Sequence, residues 1–175
     1  RVPAAFQLVA ASNPCRCGFL GSRVRSCTCG AGDLARHRSR LSGPLRDRFD
    51  LVVEMGDGRE ESLTGRGGRP SAATGENLAA RITRARTLLD GRDEPPAHWG
   101  LARRVRAHGL ETSALGVLEA ARGPLGLSLR GILRTCRVAR TVAALAGRLT
   151  VTAVDVREAL QYRHEALGGW GAAEG

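Results

Sequence analysis

The sequence contains no lysine; all 27 of its basic residues are arginine. Aromatic residues make up only 3% of the chain, too few for a surface that works by stacking on nucleic-acid bases. No apolar run approaches the roughly 20 residues needed to cross a bilayer, and no signal-peptide pattern opens the chain. Wholesale disorder is excluded in turn, because 42% of the residues are hydrophobic and 25% charged, which is ordinary globular usage. These absences lead to the expectation of a soluble, cytoplasmic protein with no membrane partner. Its 175 residues suffice for one ordinary domain or two small ones.

The 27 arginines outweigh 17 acids, for a formal charge of +10. Such a balance attracts polyanions, nucleic acid or nucleotide phosphate. With so few aromatics, the phosphate backbone is the expected target of any nucleic-acid contact.

The chain opens on Arg1 and enters an apolar stretch, Phe6-Gln7-Leu8-Val9-Ala10-Ala11, that ends at Asn13-Pro14. A near-continuous run of this kind predicts a strand over 1–12, buried on both faces of a parallel sheet. Such a strand needs neighbours that little of this sequence can supply, so the chain is expected to be the C-terminal piece of a larger protein. Residues 13–30 form a Cys/Gly/Arg loop, 31–41 a short basic helix, and 49–54 a second short strand. Five glycines and one proline among residues 56–71 predict a flexible linker and a domain boundary. Beyond it the pattern is helical, over 72–90, 100–108, 111–121, 128–147 and from Thr152 to about 165. Pro95-Pro96 breaks the chain, Gly147 stands where a helix end wants it, and Thr152-Ala153-Val154-Asp155 resembles a capping box. The fold class is therefore α/β followed by an all-α part, with a tail over 168–175.

Cys15, Cys17, Cys27 and Cys29 form two Cys-x-Cys pairs separated by nine residues. Two close pairs joined through a turn can place four thiolates around one tetrahedral ion, and Arg16, Arg23 and Arg25 favour the thiolate forms. Structural zinc is the expectation; disulfides or inert thiols are the alternatives, disfavoured by a cytoplasmic setting and by a loop without a core. Four ligands close the coordination sphere and leave no position for catalysis. Cys136, by contrast, falls on the apolar side of its helix with Leu129, Leu133 and Ala143, and is expected to be a buried structural thiol.

Three further residues stand at telling positions. Asn13 ends the first predicted strand, where α/β sheets bind ligands; an ordinary Asx turn is the other explanation. Arg48 lies between a helical turn and a strand, where its planar fork could hold phosphate oxygens, or where it could pair locally with Asp47 or Asp50. Arg130, Arg134, Arg137 and Arg140 follow Ser128 at helical spacings, as a solvated face would. Arg130 differs, because a cation in the first turn opposes the helix dipole, a cost that a docked anion would offset.

Four blocks then carry a resemblance: Ser12-Asn13-Pro14-Cys15-Arg16-Cys17-Gly18, Leu41-Ser42-Gly43-Pro44-Leu45-Arg46-Asp47-Arg48-Phe49-Asp50-Leu51, Leu127-Ser128-Leu129-Arg130 with Arg137-Val138-Ala139-Arg140-Thr141-Val142-Ala143-Ala144-Leu145, and Glu158-Ala159-Leu160-Gln161-Tyr162-Arg163. In this order they resemble the ComM/YifB family of magnesium-chelatase-like AAA+ ATPases. The resemblance implies that residues 1–55 end the nucleotide-binding subdomain, 56–71 link, and 72–167 form the helical lid. It implies sensor 1 at Asn13, an arginine finger acting in trans at Arg48, and sensor 2 at Arg130, all serving ATP with Mg2+. It also implies a homo-oligomeric ring, a hexamer, engaged in DNA-linked motor activity such as branch migration during natural transformation. The P-loop and the Walker B acid are absent, so this polypeptide is expected not to hydrolyse ATP unaided. Two alternatives stay open. A true magnesium chelatase ATPase subunit shares the Asn-Pro, Asp-Arg-Phe and Leu-Arg-Gly blocks but lacks the inserted cysteine loop. A non-enzymatic, zinc-stabilised DNA-binding module would explain the charge and the cysteines alone.

Overall fold

The computed structural model describes residues 7–55 and 72–163. They divide into two compact units, residues 7–42 with Met55, and residues 43–54 with 72–163. The expected linker at 56–71 and the tail at 168–175 lie outside the described residues.

The smaller unit holds the cysteine loop and helix α1, Ala31–Ser39. Asp33 stands in its first turn and Arg36, His37 and Arg38 in its last, the charge order that the helix dipole favours. No residue of α1 is buried, and among the described residues of the unit only Cys15 is buried. Apolar burial therefore does little to hold this unit together.

The larger unit runs through α2 (Gly43–Arg46), α3 (Ala72–Leu89), α4 (Leu101–Ala107), α5 (Thr112–Arg122), α6 (Leu129–Leu145) and α7 (Ala153–Gln161). These bounds follow the predicted helices closely. Helix α6 is central and touches α3, α4 and α7, while α5 packs on α7. Its core side carries Ile132, Leu133, Cys136, Val138, Ala139 and Ala143, which meet Val105, Ala114, Leu118, Val151, Val156, Ala159 and Leu160. The buried alanines keep side chains short where helices approach closely.

The helix ends are specified by local chemistry. Ser128 caps α6 by accepting the Gly131 N–H at 3.0 Å. At the other end Gly147 takes φ +76°, Arg148 N–H bonds to Ala143 O and Gly147 N–H to Ala144 O, both at 2.9 Å, the hydrogen-bond pair of a Schellman cap. The Thr152–Asp155 capping box opens α7 as the sequence predicts. Asp155 is buried and also binds Arg148 at 2.7 Å. Gly109, at φ +80°, turns the chain from α4 so that Leu110 can bridge Val151.

Two expectations require correction. Neither residues 7–12 nor residues 49–54 form a strand; the single β contact among the described residues is the Leu110–Val151 bridge. A strand is held by ladder bonds to neighbouring strands, and no such neighbour exists among the described residues, so Leu8 and Val9 are exposed. The α/β half of the fold class is thus not seen, while the all-α half is. Leu129 was expected on the apolar side of α6 beside Cys136. It is instead 57% exposed, because it is the first helical residue and lies before the core stripe begins. Cys136 is fully buried, and burial pushes its thiol up to about 12.

Candidate functional site

The four cysteines of the loop converge. The sulfur of Cys15 lies 3.4 Å from that of Cys17 and 3.7 Å from that of Cys27, and Cys17 and Cys27 are 3.5 Å apart. With Cys29 included, all four sulfurs fall within 4.8 Å of one another. Tetrahedral zinc with bonds of about 2.3 Å separates its sulfurs by about 3.8 Å, so the spacing suits that ion without rearrangement. None of the four is in a disulfide.

Backbone N–H groups surround the sulfurs. Those of Phe19 and Thr28 face Cys17 and lower its thiol to about 5, and that of Cys29 reaches Cys27 at 3.4 Å. At Cys27 the Cys29 N–H lowers the pKa, but burial and the neighbouring sulfurs of Cys17 and Cys15 raise it to about 12. Four thiolates this close repel unless a cation stands among them, and a divalent ion takes the place of the retained protons. Cys15, Cys17, Cys27 and Cys29 are thus a fitting ligand set, with the backbone N–H groups orienting the sulfurs from behind.

Beside this cluster is a concavity of about 460 Å³ lined by Asn13, Cys15, Arg16, Asp33, Arg36, His37 and Arg40. His37 Nε2–H donates to the Asn13 carbonyl at 2.9 Å, which ties the Asn13 backbone to α1. The Asn13 side chain stays exposed. Three guanidiniums against one carboxylate make the hollow attractive to anions.

In the larger unit, α6 sorts its arginines. Arg134 and Arg137 pair with Asp50 at 3.5 and 3.2 Å, and Arg137 binds Glu94 at 2.8 Å, with Arg140 3.9 Å from the same carboxylate. Burial alone would raise the pKa of Glu94, but the Arg137 hydrogen bond and charge hold it below the ordinary carboxylate value. Arg130 is exposed, and its guanidinium has no hydrogen-bond or ion-pair partner among the described residues. The same holds for Arg48. Neither local acid engages Arg48: Asp50 serves Arg134 and Arg137, and Asp47 faces Ser128 and Arg163. The local salt bridge that could have explained Arg48 is not made.

What holds Arg48 is its backbone. Arg134 Nη1 donates to the Arg48 carbonyl, Arg163 Nη1 donates to the Phe49 carbonyl at 3.2 Å, and Val52 N–H bonds to Tyr162 O at 2.8 Å. Arg163 is buried, only 1% exposed, with Nη2 3.4 Å from Asp47. The sequence reading missed the part played by Asp47, Arg134 and Arg163. A signal existed for Arg163: it continues the stripe Val156, Ala159, Leu160 at the next helical position, where an apolar residue belongs.

Comparison with known proteins follows the same division of the chain. The profile described as "Magnesium chelatase, subunit ChlI" matches residues 1–63, and the one described as "Magnesium chelatase, subunit ChlI C-terminal" matches residues 72–163. The chain belongs to the magnesium chelatase family. Within it, an uncharacterized protein of Mycobacterium tuberculosis is 39% identical over 178 residues, covering 92% of this chain and 32% of that protein. The competence protein ComM of Haemophilus influenzae is 33% identical over 163 residues, and the uncharacterized protein YifB of Escherichia coli 33% over 165, each across 92% of this chain and 31% of the relative. The chain therefore spans about a third of the length of these magnesium-chelatase-like relatives. No solved structure matches it. Among the described residues, no helix is long and apolar enough to cross a membrane.

Proposed function

We propose that the chain is the C-terminal part of a magnesium-chelatase-like AAA+ ATPase of the ComM/YifB type. In this reading Arg48 reaches the γ-phosphate of ATP held by a neighbouring subunit, Arg130 contacts nucleotide on its own subunit, and Asn13 orients the attacking water. The domain division 1–55, 56–71 and 72–167 belongs to the same proposal.

The observation that carries it is the contrast among the arginines. Of the arginines in the blocks that carry the family resemblance and their packing neighbours, Arg134, Arg137, Arg140 and Arg163 are spent on carboxylates, whereas Arg48 and Arg130 are exposed without partners among the described residues. Phosphoryl transfer is catalysed by positioning and by positive charge at the phosphate oxygens, and a guanidinium keeps its charge while offering paired donors. Among the described residues Arg48 is itself held only through its backbone, while its neighbours Asp47 and Asp50 fix the segment, so its side chain can extend toward another molecule. Arg130 lies in the first turn of α6, and its charge there is compensated when a phosphate docks.

Mg2+-ATP needs a P-loop lysine, and this chain has no lysine. The P-loop and Walker B acid are accordingly assigned to the two thirds of the relatives that the chain does not span. Bound zinc would brace the loop at Cys15, Cys17, Cys27 and Cys29 and take no part in hydrolysis. A finger that works in trans implies a head-to-tail interface and so a homo-oligomeric ring; six subunits is the size the family resemblance suggests. DNA is proposed as the track, on the +10 charge and on the likeness to a competence protein.

A true magnesium chelatase subunit would use the same arginines, but the cysteine loop favours the DNA-linked branch. The deciding experiment is hydrolysis by the complete protein carrying Arg48→Ala. Nucleotide binding should persist while turnover disappears; undiminished turnover would refute the assignment.

A further inference from the structure

Asp47 and Ser128 lie close in sequence to Arg48 and Arg130, one residue before the first and two before the second. The Ser128 hydroxyl sits 3.2 and 3.3 Å from the two Asp47 carboxylate oxygens while accepting the Gly131 N–H. One serine thus caps α6 and binds the finger segment. Arg163 closes the arrangement from just past the end of α7, binding Asp47 through one nitrogen and the Phe49 carbonyl through the other. All three groups crowd around Gly131: a Cβ there would lie 3.5 Å from Arg163 Nη2, 3.5 Å from Ser128 Oγ and 3.8 Å from Asp47 Oδ1.

We infer that Asp47, Ser128 and Arg163 are positioning residues, a clasp that fixes Arg48 and Arg130 in one register. The inference rests on the roles given above to those two arginines and adds the coupling between them. Because each arginine adjoins one end of the Asp47–Ser128 hydrogen bond, a shift of the α6 N-terminus on nucleotide contact is passed to the segment bearing Arg48. In the charge-assisted Arg163–Asp47 pair the guanidinium is almost fully out of water and the carboxylate is partly buried, so the pair is screened less than a surface pair would be. The clasp therefore links the nucleotide site of one subunit to the finger offered to the next. Arg134, which holds the Arg48 carbonyl from one turn further along α6, acts in the same direction.

Ser128→Asp isolates the clasp from helix stability. Aspartate caps a helix as well as serine does, so α6 stays capped, but a second carboxylate now faces Asp47 and the hydrogen bond is lost. In the complete protein we expect kcat for ATP to fall about tenfold or more with KM within about twofold. The double variant Asp47→Asn with Ser128→Asp should recover most of the loss, because an asparagine N–H can donate to the new carboxylate. A second readout is independent of activity: spin labels carried by unnatural amino acids at Leu45 and Leu129, both exposed. Their distance distribution should be narrow in the otherwise unaltered protein, broad in Ser128→Asp, and narrow again in the double variant.

A broadened distribution with unchanged turnover would overturn the coupling, and so would a distribution that stays narrow in Ser128→Asp. Undiminished turnover in Arg48→Ala would instead sink the finger assignment and the coupling with it. A silent Arg48→Ala beside a fully active Ser128→Asp sinks the coupling alone.

Discussion

His108 has no solvent exposure, and neither ring nitrogen has a hydrogen-bond partner among the described residues. Burial is the main force lowering its pKa to about 4, and Arg140, Arg137 and Arg104 act in the same sense, against Glu94. The unfolded chain offers the same imidazole to water, with a value near 6.5. The folded value is the lower one, so stability is fully present above about pH 6.5 and is lost as pH falls toward 4. Linkage across that interval gives a loss of about 2 kcal/mol between pH 7 and pH 5, and about 3 kcal/mol once the folded state also titrates. Urea denaturation followed by far-ultraviolet circular dichroism, repeated between pH 7 and pH 5, reads this directly. Glu94 and Asp155 both titrate below the ordinary carboxylate range and so stay out of this window. The far-ultraviolet signal follows mainly the helices of the larger unit rather than the cysteine loop, where Cys17 also titrates at about 5. His108→Phe should flatten the profile from pH 7 to 5. An already flat profile, or one equally steep in His108→Phe, would refute the reasoning.

Protein purified under reducing conditions should carry about one zinc per chain, and metal analysis finding none would end the zinc assignment. Chelation should expose the Arg23–Arg25 stretch to trypsin while the helical signal of the larger unit persists, since the smaller unit has no other buried anchor than Cys15. Asp155→Ala removes the capping-box carboxylate and strands Arg148. A loss of roughly 2–4 kcal/mol is expected in denaturant melts, with much of it recovered in Asp155→Asn, which still accepts the Thr152 N–H. Arg163→Leu should destabilise little by comparison with its effect on turnover, because it places an apolar side chain at the end of an apolar stripe while freeing Asp47; equal losses of both would mark Arg163 as structural only.

The helices were legible because their apolar residues recur at helical spacing, and α6 and α7 carry local end signals as well: Ser128 and Thr152 start α6 and α7, and Gly147 ends α6 with a backbone angle few other residues adopt. The cysteine site was legible for the same local reason, two short-spaced pairs across a turn. The run Phe6 to Ala11 misled because hydrophobicity predicts burial, whereas a strand also needs ladder partners, which no local pattern supplies. Arg48 and Arg130 could be singled out by position, but their freedom could not. That depended on where Asp47 and Asp50 spend their charge, on Ser128 and Arg163 in one case and on Arg134 and Arg137 in the other. Those contacts span 81 residues for Asp47–Ser128 and 116 for Asp47–Arg163, distances over which periodicity carries no information. Only the arginine continuing the apolar stripe of α7 betrayed them.

In the proposed mechanism Arg48 serves a neighbour's nucleotide while Arg130 serves its own, and subunit mixing tests that most directly. Arg48→Ala and Arg130→Ala forms of the complete protein should each be silent in ATP hydrolysis. Mixed in equal amounts they should regain activity, because roughly a quarter of the interfaces then pair an intact site with an intact finger. A mixture as silent as its components would place both arginines at one subunit's own site and contradict the account.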